Sequence, residues 1–453
     1  MKPSAHEWKL AGPVLSVLLM LSFLSPLVSA VTPFPRLSGS ETIPALIAWL
    51  LVIVGSGRLY AIDAVISLLF GWSFISAIAN DVTLVSAVLL PSLLVCPFIA
   101  ARLIVSSGLK SRETIRNVLT FLVLAQVAMF VPQLATYSGY DDLAGTFVDT
   151  LYGSHVASFV VLLGAAAYVM SDARGWRGNL ALAAAFILAI LADSKVALVY
   201  MIAVSVTYIF IGRPLRLVRF NTRLATRTIG AFLAAATAAA VFTGYFGTIR
   251  AADYVQQTVE SDGGKLAVAR VILNPSSELW QRENILIGAG PAQTVSRTAG
   301  FTVANSRDSG SRGGGLGMEE ARYLPIMEEL AQGSGGFIAS SSFTNPKSSI
   351  LGLIGDLGIV GAAVYFWGFW WVYRRIASAS TWRSWPALAW LGLLLPGLIG
   401  EWLEMPPAMM GAAAILLLLA SSRRSTSGSA VLANLPPHVP PQQGQFPLRS
   451  RVK

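Results

Sequence analysis

The sequence predicts an all-α integral membrane protein of about twelve transmembrane helices with one large hydrophilic loop in its second half. Three observations carry this. Of the 453 residues 54% are hydrophobic and only 12% are charged, a balance that a soluble chain of this length has too little core to bury. Apolar stretches of near-spanning length recur, at 11–31, 43–57, 60–78, 82–104, 115–136, 154–171, 178–193, 196–212, 228–247, 350–373, 384–400 and 406–421. The basic residues of the short connections fall on alternate loops, as the positive-inside rule requires.

One side receives Arg58, the segments 102–116, 172–177 and 213–227, Arg374 with Arg375 and Arg383, and Arg423 with Arg424. That side is read as cytosolic. The other receives 32–42, Asn80 with Asp81, 138–153, the tight turn at 193–195, the short acidic segment 401–404, and the long stretch 248–349. The organisation is therefore helices one to nine over 1–247, the outer loop over 248–349, helices ten to twelve over 350–421, and a cytosolic tail over 422–453. The tail, rich in Ser, Pro and Gln, lacks the apolar residues to build a core and reads as disordered. The N-terminal run ends in Val28-Ser29-Ala30, so residues 1–30 read either as a retained first helix, which we favour, or as a cleaved signal sequence. Either outcome puts Thr32 outside.

The net charge of +10 is accounted for by these topology signals, so nucleic acid is not an expected partner. Cys96 is the single cysteine, and His6, His155 and His438 are scattered. No disulfide within the chain and no metal site are expected, and no cofactor is implied.

Polar groups at the outer helix ends are where chemistry is expected, because an ionisable group at membrane depth is costly and is kept for a task. Ser194-Lys195 sits between two apolar helices beside Asp193. It is either an interfacial turn with a local ion pair or a fixed cation facing an anionic headgroup or diphosphate. Within the loop, Leu279-Trp280-Gln281-Arg282 precedes an apolar Ile285-Leu286-Ile287 and the turn Gly288-Ala289-Gly290. A Trp beside an Arg suits the headgroup region, where the ring anchors and the guanidinium forks onto phosphate, with or without chemistry. The Gly turn lacks the Lys-Ser/Thr of a phosphate loop and is read as a tight turn. A helix is expected over 318–332, flanked by Gly-rich breaks at 310–317 and 333–336.

The third cluster is Asn345-Pro346-Lys347-Ser348-Ser349, which enters a helix carrying Asp356 about two turns in. Gly352, Gly355, Gly358 and Gly361 read as a face that admits a close-packed helix. Asp356 is either partner-bonded or functional. Glu401, Glu404 and His155 are further candidates, as a base or as hydrogen-bond partners of a sugar hydroxyl, against the plainer reading of solvated interfacial groups.

The order of these elements resembles the bacterial Wzy-type O-antigen and exopolysaccharide polymerases and the related O-antigen ligases. In that family a Ser-Arg-like pair opens an outer helix, a Leu/Ile-Trp element leads to a Gly-x-Gly turn, and an Asn-containing segment enters a Glu-x-Gly-Leu/Ile-x-Gly helix. The counterparts here are Ser194-Lys195, Leu279-Trp280, Gly288-Ala289-Gly290, Asn345 and Asp356 to Gly361, within roughly residues 140–365. The chain departs from the pattern at Lys195, which replaces an Arg, and at Ser276, where an Arg four residues before the Trp is usual. It departs again at Thr344, where a His often stands.

The resemblance implies glycosyl transfer on the periplasmic face of the bacterial inner membrane. A sugar hydroxyl of one repeat unit would attack the anomeric carbon of a glycan held on polyprenyl diphosphate. It implies Lys195 and Arg282 as diphosphate-facing cations with Arg270 in reserve, and Asp356 or Glu401 as base. Ser194, Trp280, Asn345, Lys347 and His155 would contact substrate. A chain-length regulator and a flippase would be partners, alongside membrane lipid. The alternatives are an O-antigen-type ligase and a lipid-linked oligosaccharide flippase; the single large loop and the lack of an internal repeat weigh against the latter.

Overall fold

The computed structural model describes residues 8–31, 42–136, 143–147, 153–170, 176–192, 194–211, 264–300, 321–332 and 347–433. Among these residues the fold is all-helical. The N-terminal set is α1 (Ala11–Val31), α2 (Thr42–Ser56), α3 (Ala61–Ala79), α4 (Leu84–Ser106), α5 (Leu109–Ala135), α6 (Gly153–Met170), α7 (Trp176–Leu191) and α8 (Lys195–Ile211). The loop region contributes α9 (Gly264–Leu273), α10 (Glu278–Arg282) and α11 (Leu324–Gln332). The chain then returns through α12 (Ser349–Ala379), α13 (Trp385–Gly392), α14 (Leu394–Ile399), a 3₁₀ turn at Trp402–Glu404 and α15 (Pro406–Ala433).

Five of these helices, α3, α4, α5, α6 and α12, are long and apolar enough to cross a membrane, the architecture of a multi-pass membrane protein. Every expected apolar segment carries helix except 228–247, which lies outside the described residues, as do both Gly-rich breaks of the loop. The apolar exterior fits a lipid solvent: Val54, Ile78, Val131 and Phe210 are exposed at 65–81%. At the centre is α4, buried along nearly its whole length and apolar on every face, as expected of a helix surrounded by others.

Three boundaries differ from expectation. The basic segment 102–116 is not an open connection, because α4 runs to Ser106 and α5 starts at Leu109. The expected span 384–400 is divided at Leu393 into α13 and α14. The tail does not begin at 422, since α15 continues to Ala433.

Arg102 is fully buried instead of marking a loop. Its Nε donates to both Asp63 carboxylate oxygens at 3.1 and 3.0 Å, and its Nη2 donates to Ser56 Oγ at 3.0 Å and the Arg58 carbonyl at 2.8 Å. Nη1 donates to Ser106 Oγ. Asp63 also accepts from Trp49 Nε1 and the Tyr60 amide, so both charges are saturated. Arg102 and Arg375 both lie over the Tyr60 ring, at 4.3 and 5.9 Å, which gathers several of the expected cytosolic arginines at one end of the bundle.

Removing one partner of a buried pair strands the other. Asp63→Ala is therefore expected to cost about 3–5 kcal/mol, while Asp63→Leu combined with Arg102→Met recovers most of the loss. Thermal unfolding of the purified chain in detergent measures both.

Candidate active site at the loop end of the bundle

The site is built on a break in α12. Gly358 adopts φ 67° and ψ −173°, which interrupts the helical bonds two turns from its start. The freed backbone groups are taken up by the segment 285–290. Ala289 and Gly290 amides donate to the Gly355 and Asp356 carbonyls at 2.8 and 3.1 Å, and the Ile359 amide donates to the Ile285 carbonyl at 3.0 Å. Three side chains of α3 close the remainder. Trp72 Nε1 donates to the Leu357 carbonyl at 2.8 Å, Ser76 Oγ to that of Ile287 at 2.9 Å, and Asn80 Nδ2 to that of Gly288 at 3.0 Å. A Cβ on Gly288 would overlap the Asp356 carbonyl, and one on Gly358 would overlap that of Leu286, so the two backbones meet only because both residues are glycine. Gly352 and Gly355 likewise face Ser296 and Thr294 of the loop. The glycine face of α12 thus admits a loop there, not the helix expected, while Gly361 abuts Trp72 of α3.

Asp356 completes the junction. Its carboxylate is fully buried and accepts the amides of Ala292, Gln293 and Thr294 at 3.0, 3.2 and 2.7 Å, together with Thr294 Oγ1 at 2.6 Å. Expected as a base, Asp356 is here the partner-bonded anchor of the loop.

From this anchor the chain runs 292–300 across the start of α12. Ser348 caps that helix, its Oγ accepting the Leu351 amide at 3.3 Å, while its own amide donates to the Val295 carbonyl at 3.1 Å. Ser349 ties in the segment before α15: its amide donates to the Gly400 carbonyl at 2.9 Å and its Oγ accepts the Leu403 amide at 3.1 Å. Glu401 and Glu404 are thereby drawn under the loop, 3% and 0% exposed, in place of the solvated acids expected.

Four segments bring charge together here. Arg297 Nη1 lies 3.3 Å from Glu401 Oε2, and Lys347 Nζ lies 3.9 Å from Glu401 Oε1. Lys265, from the first turn of α9, donates its Nζ to the Lys347 carbonyl at 2.5 Å. Glu404 Oε2 accepts the Arg297 and Thr298 amides at 2.8 and 3.4 Å. The Oε1 atoms of both acids are buried without a hydrogen-bond partner. Burial, reinforced by Glu401 and Asp356, holds the Glu404 carboxyl well above the usual carboxylate range. Burial pulls the Lys265 ammonium down to about 7, against the pull of Glu401.

The remaining expected residues divide. Ser194 is buried at the same end, its Oγ 3.5 Å from the His155 carbonyl, and Phe159 of α6 packs edge-on against Trp402 at 5.0 Å. Lys195 opens α8 there, but its side chain, like Asn345 and Asp193, lies outside the described residues. Trp280 is not an interfacial anchor. It is 9% exposed, donates Nε1 to the Ile272 carbonyl at 2.8 Å, and belongs to a small separate core with Val268, Leu279, Leu324 and Met327. That core forms because α9, α10 and α11 each present an apolar stripe, buried against one another, against Ala289, Val295 and Ala299 of the loop and against Leu351 of α12. Arg270 and Arg282 are exposed on its outer surface, and no described contact ties either to Glu401.

Sequence reasoning missed Arg297 and Lys265. The signal available for Arg297 was the polar run Gln293-Thr294-Val295-Ser296-Arg297-Thr298, whose Gln, Thr and Ser side chains are all buried. A search against protein-family models finds no match for the chain, and a search of curated proteins finds none either.

Asp356→Ala leaves three buried amides unpaired and is expected to destabilise the junction by about 3 kcal/mol or more. Limited proteolysis of the chain in detergent should then cut within 284–300 at least tenfold faster than in the unaltered protein. Gly288→Val should do the same by steric overlap.

Proposed function

We propose that the chain is a membrane glycan polymerase that joins polyprenyl-diphosphate-linked oligosaccharide repeat units on the periplasmic face of a bacterial inner membrane. The observation that carries this is the gathering of Arg297, Lys347 and Lys265 around Glu401 at the end of the bundle where Ser194 and the start of α8 also lie. Transfer to a sugar hydroxyl leaves diphosphate as the departing group, and the largest demand on the protein is to stabilise the charge that grows there. Fixed guanidinium and ammonium groups in a mostly dehydrated site meet that demand.

On this reading Arg297 takes the part first expected of Arg282, and Lys347 joins it; Lys195, at the start of α8, keeps the part expected of it. Glu401, close to both cations, is the base for the acceptor hydroxyl. The α9 to α11 unit forms the wall over the site, and an approximately twelve-span topology with a periplasmic loop would support a position outside. The diphosphate-linked glycan, the membrane lipid, a chain-length regulator and a flippase are the partners this reading requires.

Deleting the gene and analysing lipid-linked glycans tests the reading. Single repeat units should accumulate on the outer face. Units confined to the cytosolic face would identify a flippase instead, and full-length polymer left on its lipid would identify a ligase. Arg297→Ala and Lys347→Ala should each lower polymer by about 100-fold or more with folded protein retained.

The Lys265 ammonium is present below about pH 7 and lost above it. Polymerisation by the purified chain should therefore fall as pH rises through 7, and Lys265→Arg, which stays charged, should flatten that limb of the profile.

A further inference from the structure

We infer that the Glu401 carboxylate is an internal stand-in for the substrate's diphosphate, displaced from Arg297 and Lys347 when the donor binds and thereby released to act as the base. The inference rests on the reading of this cluster as a diphosphate site and adds an order of events to it.

The geometry of the ion pairs points this way. Charge-assisted bonds between N–H and carboxylate settle near 2.7–2.9 Å when they are well formed. Here the separations are 3.3 Å to Arg297 and 3.9 Å to Lys347, and Glu401 Oε1 is buried without a hydrogen bond. The contrast lies within the same molecule: Arg102, fully buried, donates to Asp63 at 3.0 and 3.1 Å and also to Ser56, Ser106 and the Arg58 carbonyl. A carboxylate has two oxygens with which to serve a guanidinium and an ammonium set apart from each other. A diphosphate offers more oxygens over a longer span, so it serves two separated cations at once.

The backbone supports the exchange. Glu401 and Glu404 flank a 3₁₀ turn, with the Glu404 amide donating to the Glu401 carbonyl at 3.0 Å, and residues three apart in such a turn eclipse one another. Glu404 is fastened through Oε2 to the Arg297 and Thr298 amides, and burial shifts its carboxyl toward the neutral form. The described contacts of the Glu401 carboxylate are the two longer ion pairs. The groups facing it are Arg297, Lys347, Lys265 and Glu404. With diphosphate on the cations, the acceptor hydroxyl oxygen bonds to the anomeric carbon as that carbon's bond to the diphosphate oxygen breaks. The bonding pair leaves with the diphosphate, and the hydroxyl proton passes to the Glu401 carboxylate. Without donor the base is engaged by its own cations, so water arriving first meets no free carboxylate.

The test is a binding measurement on the full chain in phosphatidylcholine nanodiscs, with inorganic pyrophosphate as probe. Glu401→Gln removes the competing charge while keeping the shape, so pyrophosphate should bind at least about tenfold more tightly than to the unaltered chain. Glu401→Ala should tighten it as well, and Arg297→Gln should abolish it. Glycan extension by Glu401→Gln should nevertheless fall by about 100-fold or more. Binding in Glu401→Gln that is unchanged or weaker overturns the inference, because a purely structural ion pair would loosen the site when broken. Pyrophosphate binding abolished by adding phosphatidylglycerol would assign the cations to a lipid headgroup and also overturn it. Tighter binding in both Glu401 variants, together with an unaltered chain that forms no polymer, would uphold the stand-in and refute the glycan polymerase reading.

Discussion

A backbone amide or carbonyl away from water must find a partner, and this requirement at the break in α12 governs the loop end of the molecule. Gly358 opens the helix, and what fills the opening is not a neighbouring helix but the backbone of 285–290, with Trp72, Ser76 and Asn80 of α3 closing the rest. The junction can form only where both strands of chain lack a Cβ at the crossing. Once it forms, Asp356 gathers the next three amides, and the path of 292–300 over the start of α12 is set. The position of Arg297 over Glu401 follows from that path. A membrane helix, a loop and the candidate chemistry are thus linked through one set of backbone bonds.

The two ends of the bundle use the same residue types to different effect. At the basic end Arg102 Nε bridges both Asp63 carboxylate oxygens, and Ser56, Ser106, Arg58, Trp49 and Tyr60 supply further bonds to the pair. Such a saturated network fixes one arrangement of helices and offers nothing to a ligand. At the loop end the charges are separated by longer distances, and both acids retain a buried oxygen with no hydrogen bond. An incompletely bonded set of buried charges is costly to hold, and it is at ligand sites that such a cost is repaid.

Much of the architecture was legible in the sequence. Long apolar runs report helices directly, since a span must satisfy its own backbone, and the described helices fall close to the expected segments. The clustering of Ser194, 401–404 and the loop at one end was legible too, because alternation of basic loops fixes which ends lie together. The chemistry was less so. Trp280 and Arg282 looked like a membrane-facing pair because Trp beside Arg is common there. The apolar stripes of α9, α10 and α11 instead enclose the Trp in a core of their own and leave the Arg outside. Lys347 was named as a stand-in for the polar group missing at Thr344, and its position 3.9 Å from Glu401 was not legible in the sequence.

What the sequence by itself determined is the kind of solvent each segment suits: apolar runs fit lipid, and the basic turns and the long polar stretch fit water. Composition decides this because transfer free energies add along the chain, residue by residue, without regard to partners. Only the tertiary structure decided which charges meet. Lys265, Arg297, Lys347 and Glu401 are far apart in sequence, and their meeting depends on the glycine crossing at 288 and 358 and on the Asp356 anchor. Each is a contact between backbones, and backbone contacts leave almost no trace in side-chain pattern beyond the glycines that permit them.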